Sequence, residues 1–156
     1  AIEINGEVAP VEVKAGRFAR IHRVWRAGDV VQLTIPIETT LMVGHRRIEE
    51  TRNQVAIKRG PVVYCLESPD LPAGTSIFDV YIPSDITLES SNDESLIDGP
   101  TTLVGEVMLQ EDRREDVYSV LRKPQWKTVT VQFVPYYAWS NRGTAEMTVW
   151  FPIVWR

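Results

Sequence analysis

The sequence predicts an all-β protein, an antiparallel β-sandwich of jelly-roll-like type built from two small packed β units. Three observations predict it. Valine, isoleucine and threonine dominate the apolar segments, and proline and glycine punctuate them at short intervals. Within those segments apolar side chains recur with period two, and no window sustains a stripe at helical spacing.

Taken in order, Val31, Leu33, Ile35 and Ile37 fall on one face, with Gln32, Thr34 and Pro36 on the other, as in a half-buried strand. Pro36 cannot donate to a ladder, which places it at an edge or a strand end. Val55 and Ile57 repeat the pattern before the break at Gly60–Pro61, where glycine permits a sharp turn and proline opens the next strand. Residues 62–66 are apolar on both faces, which predicts a strand covered on both sides. Two prolines and a glycine in Glu67–Gly74 mark a seam, so the units are expected at 1–68, an incomplete first sandwich, and 69–156, the second. Ser84–Pro100 is acidic and turn-rich and reads as a long surface connection. Glu111–Leu121 reads equally as a turn of helix or a mobile hairpin tip. Val129, Val131 and Phe133 then alternate with Thr128, Thr130 and Gln132. The last strand alternates Met147, Val149, Phe151 and Ile153 with a second face that is also apolar. Between these two, Ser140-Asn141-Arg142-Gly143 suits a tight turn, with Arg142 free to reach a carboxylate such as Glu146 or to bridge a domain boundary.

At 156 residues the chain can hold one ordinary domain or two small ones. A net charge of -4, with the signs mixed along the chain, argues against a nucleic-acid partner. No apolar run approaches the ~20 residues that span a bilayer, so no membrane partner is expected. Location is not legible. The lone Cys65 cannot form an intramolecular disulfide, and with only His22 and His45 beside it no zinc-ligand spacing appears.

Candidate chemistry is thin. Glu38, Glu49, Glu50, Asp79 and Glu106 could be nominated as glycosidase acids, but acidic residues at strand ends are usually solvated. Cys65 sits in an apolar strand without a neighbouring base, as a small buried hydrophobe does. His22 alternates with arginines and suits a polar surface. Aromatic residues crowd the last third. Core or interface packing is their usual role, and the alternative is a sugar-stacking face formed by Trp126, Tyr137, Trp139 and Trp155.

Two of these stretches carry a resemblance. Asn53–Glu67 (NQVAIKRGPVVYCLE) and Val134–Trp150 (VPYYAWSNRGTAEMTVW) resemble hallmark segments of glycoside hydrolase family 127, also known as domain of unknown function 1680. The opening fits as well, through Ile4-Asn5-Gly6, Gly16–Trp25 and Gly28-Asp29, so the resemblance covers nearly the whole chain. It implies a β-L-arabinofuranosidase-like parent. In that family an N-terminal (α/α)6 barrel carries the catalytic residues, including a zinc-bound cysteine, and β-sandwich domains follow. Only the sandwich portion is matched, so no catalytic residue and no metal or other cofactor transfers to this chain. The residues that do transfer are architectural: Gly60, Pro61, Tyr64, Pro135, Tyr136, Trp139, Asn141, Arg142 and Gly143. The implied role is a noncatalytic C-terminal region that braces the barrel of the same polypeptide, with a homodimer as a further option and a carbohydrate-binding module as the alternative.

Overall fold

The structure, a computed structural model, describes residues 1–96, 99–111 and 116–156. These residues form strands, turns and short 3₁₀ segments, as the all-β reading expects. The chain clusters into two compact units, Ala1–Ile37 and Glu38–Arg156.

In the first unit β1 (Ile2–Ile4) is flanked by β2 (Glu7–Val8) and β3 (Val31–Leu33), both antiparallel to it. Asn5 and Gly6 make the two-residue β1–β2 turn with φ of 54° and 83°. Left-handed φ at both central positions is what a type I′ hairpin needs, and Asn-Gly tolerates it best. The Asn5 side chain then ties the turn down, donating to Asp29 at 2.8 Å and accepting from the Val30 amide at 2.9 Å. Buried apolar side chains here are few: Ile2, Ile4 and Ala9, with Val11 and Ile21 packed against them. The half-buried strand expected over Val31–Ile37 is shorter and uncovered. Only Val31–Leu33 pairs, and Val31, Leu33, Ile35 and Ile37 are all exposed. Period two is present, but nothing within 1–37 lies over that face.

The second unit is built from β4 (Thr39–Val43), β5 (Gln54–Arg59), β6 (Val62–Glu67), β7 (Val80–Pro83), β8 (Leu88–Asn92), β9 (Thr101–Gln110), β10 (Trp126–Pro135), β11 (Met147–Thr148) and β12 (Trp150–Val154). Pairing runs β5–β6–β10–β9–β7–β12 and back to β5, so the sandwich-like layers join at both sides into a six-strand ring. All these pairs are antiparallel except β7–β12. β4, β8 and β11 add to β5, β9 and β6 outside the ring. The strands on either side of Glu67–Gly74 therefore share one sheet.

Alternation fills the ring. Val55, Ile57, Tyr64, Leu66, Val80, Ile82, Leu103, Val107, Val131, Phe133 and Phe151 form its core, and Phe133 meets Phe151 edge to face at 5.7 Å. β6 is buried from Tyr64 to Glu67, as its two apolar faces predict. Ser84–Pro100 is not simply a connection. It holds β8, whose Leu88 packs on the core while the polar residues after it stay exposed, so the acidic composition reflects an outer strand. β8 approaches β9 closely at Gly105, where a Cβ would lie 2.9 Å from the Thr87 carbonyl oxygen. Of Glu111–Leu121, residues 112–115 lie outside the described residues, and Val117, Tyr118 and Leu121 are exposed.

Candidate functional site

Among the described residues of the second unit, a dense polar network lies where β6 ends. Glu67 closes the apolar run of β6 and is fully buried, and a buried carboxylate must be paired and hydrogen-bonded to be tolerated. Its partners come from the turn after β10. Ser140 donates its amide to Glu67 Oε1 at 2.9 Å, and Arg142 donates Nε to Oε2 at 3.2 Å and Nη2 to the same oxygen. Arg142 also forks onto Asp70, Nη1 to Oδ1 at 2.8 Å and Nη2 to Oδ2 at 2.5 Å. One guanidinium thus staples two carboxylates from residues more than seventy positions earlier in the chain. The two carboxylates hold the guanidinium's pKa above its ordinary value, Asp70 contributing most, so Arg142 is charged at every working pH. Arg142 pairs with Glu67 and Asp70 rather than with Glu146, whose backbone instead exchanges bonds with Ser68.

Local geometry explains the turn. Ser140 takes a φ of 66°, and its hydroxyl donates to the Gly143 carbonyl at 3.3 Å. Gly143 sits at 110°, a backbone position that suits glycine. Tyr136, Tyr137 and Ala138 form a 3₁₀ turn, and the Tyr136 and Trp139 rings stack at 6.2 Å. Pro135 is buried and lies opposite Tyr64 in the β10–β6 register. The Tyr64 hydroxyl donates to the Thr101 carbonyl at 2.9 Å, and its pKa is raised, mainly by burial. Beside Glu67, Cys65 is fully buried with Sγ 3.6 Å from the Val134 carbonyl oxygen. Burial first, then the negative charges of Glu67 and Asp70, pushes its thiol up to about 12. Such a thiol is protonated at neutral pH and is a poor nucleophile and a poor metal ligand. Among the described residues, no three His, Cys, Asp or Glu side chains converge in a way that could hold a metal ion.

The architectural residues named from sequence fall into two groups. Tyr64, Pro135, Tyr136, Trp139, Asn141, Arg142 and Gly143 gather around the C-terminal end of β6. Gly60 and Pro61 make the β5–β6 turn at its other end, with Gly60 at a φ of 55°. The aromatic candidates are more dispersed. Trp126 begins β10 and packs edge-on against Tyr81 at 4.8 Å. Tyr137 and Trp139 follow the far end of that ten-residue strand, roughly 30 Å away at a strand's rise per residue. Trp155, 80% exposed, follows β12.

Apart from the adjacent Glu49 and Glu50, the nominated acids sit on different elements. Glu49 and Glu50 begin a 3₁₀ turn where Glu49 pairs with Arg52 at 3.1 Å, and Asp79 closes a capping box with Ser76. Glu38 precedes β4, and Glu106 is exposed on β9. Glu106 does share a shallow recess with Asp85 and Glu89, all three exposed and without the apolar enclosure that tunes a general acid. Sequence reasoning missed Glu67 and Asp70. The available signal was a charged residue ending a run that is apolar on both faces. It also missed an open groove of about 700 Å³ lined by Val63, Phe78, Tyr136, Trp150 and Phe151, for which the sequence offers no periodic cue.

Comparison with known proteins matches the geometry. The model of the glycoside hydrolase family 127 C-terminal domain fits residues 39–152. A non-reducing end beta-L-arabinofuranosidase of Bifidobacterium longum subsp. longum is 26% identical, over 95% of this chain and 23% of its own length. A solved glycoside hydrolase superposes with a TM-score of 0.86 at 38% identity, covering 98% of this chain and 25% of that one. A GH127 beta-L-arabinofuranosidase from Geobacillus stearothermophilus T6 follows with a TM-score of 0.81 at 33% identity, over 98% of this chain and 24% of that one. The chain thus spans about a quarter of the length of these relatives. By a family match over residues 39–152, which takes in the Arg142 staple and the ring as far as Pro152 of β12, the chain belongs to the glycoside hydrolase family 127 C-terminal domain family.

Proposed function

We propose that this chain is the noncatalytic C-terminal region of a longer β-L-arabinofuranosidase-like polypeptide, and that it braces that polypeptide's N-terminal catalytic barrel. The observation that carries the reading is the match to a C-terminal domain in relatives about four times as long. The chemistry agrees. The buried carboxylate, Glu67, is committed to Ser140 and Arg142, and the single cysteine is buried and protonated. Exposure supports the bracing role. Val117, Tyr118, Val120 and Leu121 are 81–92% exposed, and a soluble monomer rarely leaves so many large apolar side chains uncovered in one short stretch. Pairing of the longer polypeptide into a homodimer belongs to the same reading. Its support is β4, an outer strand with exposed Met42 and Val43.

The test is hydrolysis of a β-L-arabinofuranoside by the purified chain beside the native gene product. The reading expects turnover only from the longer polypeptide. Turnover by this chain, abolished by changing one of its own acids, would sink it. Glycan binding is the second reading, favoured by the exposed rings of Tyr137 and Trp155. Titration with arabinan fragments that quenches tryptophan fluorescence, and is lost in Trp155→Ala, would support it.

A further inference from the structure

We propose that Phe18–Trp25 is a strand-addition site, and that its occupant is a β-strand of the polypeptide preceding this chain. The inference rests on the reading of a longer polypeptide given above. The segment reads as a strand. Phe18, Arg20, His22 and Val24 alternate with Ala19, Ile21, Arg23 and Trp25, and β-branched or aromatic residues recur on both faces. Yet it belongs to no strand. Among the described residues, no backbone amide from Phe18 to Trp25 donates to another backbone group; the neighbouring bonds are Arg17 to Lys14 and Asp29 to Arg26. Backbone amides and carbonyls of a strand-forming sequence that lack partners are a template for another strand.

The segment is nevertheless held in place. Ile21 packs against the cluster of Ile2, Ile4 and Ala9. Arg23 lies over the Trp25 ring at 5.1 Å and reaches Asp29 at 3.5 Å, and Asp29 in turn accepts from Asn5 and from the Arg26 amide. Apart from the Val24 carbonyl, which accepts from Arg23 Nε at 3.5 Å, what remains open is the backbone, together with Phe18, which is fully exposed, and Val24, which is 82% exposed. An added strand would satisfy the first and cover the second, the usual logic of β-augmentation.

Two observations identify the occupant. Relatives extend to about four times this length, so strands absent from this chain are available in the same polypeptide at high effective concentration. Residues 16–27 also carry four arginines and no acid, in a protein whose net charge is -4. The incoming strand therefore presents carboxylates toward Arg17 and Arg20.

Hydrogen–deuterium exchange on the native gene product tests this, with its intact mass read from the same sample. The expected result is a product heavier than 17.8 kDa in which amides 18–25 exchange at least about 100-fold more slowly than in the 156-residue chain alone. Arg20→Pro, which removes one backbone amide from the segment, should abolish that protection, while Arg20→Lys, which keeps both the amide and the positive charge, retains it. Should Arg20→Pro fail to fold, the unmodified product still decides. A heavier product whose residues 18–25 exchange as fast as in the short chain overturns the strand addition and leaves the longer-polypeptide reading intact. A product of 17.8 kDa overturns that reading itself. If such a product shows protection that disappears on dilution, a second copy fills the edge and the proposed occupant is wrong.

Discussion

The ring of residues 38–156 and the small sheet of residues 1–37 use the same strand-forming residues, yet the ring hides far more of them. Around Phe133 and Phe151, alternation on six strands converges on one core, so each apolar face meets another. In the first unit the buried set is Ile2, Ile4 and Ala9, while Val31, Leu33, Ile35 and Ile37 alternate faithfully with nothing over them. Period two states which face wants cover; it does not supply the cover. Burial at ~25 cal/mol per Å² of apolar surface is realised only when a second layer arrives.

That contrast can be broken from the ring side first. Phe133→Ala empties the centre of the core and should cost about 3–5 kcal/mol, read as a lowered denaturant midpoint for the 38–156 transition. Arg142→Met strips a fully buried carboxylate of its cation, and about 3 kcal/mol should be lost. Adding Glu67→Gln to it should restore part of that loss, because the two side chains act as one unit. A smaller effect appears only in alkali. The Cys65 thiol, pushed up to about 12 against 9.0 for an ordinary thiol, keeps its proton in the fold where the unfolded chain has lost it. Its contribution is therefore complete below about pH 9 and is lost as pH rises from there towards 12. Cys65→Ser should flatten that alkaline decline, and a thiol reagent at pH 8 should leave the folded chain unlabelled. The smallest effect belongs to the first unit. Ile4→Ala should speed amide exchange within 1–37, with local opening easier by about 1 kcal/mol, and leave the ring's denaturant midpoint unmoved.

Much of the ring is legible in the sequence. Val131 and Phe133 on β10, the double-faced β6 and the Gly60–Pro61 turn all follow from local pattern, because their partners lie within the same unit. β8 is hidden by its composition: an outer strand needs one buried anchor, Leu88, and its polar remainder looks like loop. The extent of β3 is overstated by its pattern, since alternation over Val31–Ile37 carries no information about what packs on it. Arg142 stands out as a reaching cation, but its partners Glu67 and Asp70 depend on β6 and β10 meeting in register, a tertiary fact no spacing encodes. The scatter of Trp126, Tyr137, Trp139 and Trp155 has the same origin. They crowd in sequence, and a ten-residue strand then separates them.

The most direct measurement is the intact mass of the gene product isolated from the cells that encode it. The account predicts a polypeptide several times heavier than 17.8 kDa that contains this chain in its C-terminal region. A native product of 17.8 kDa would contradict it and leave the ring and its small sheet to function alone.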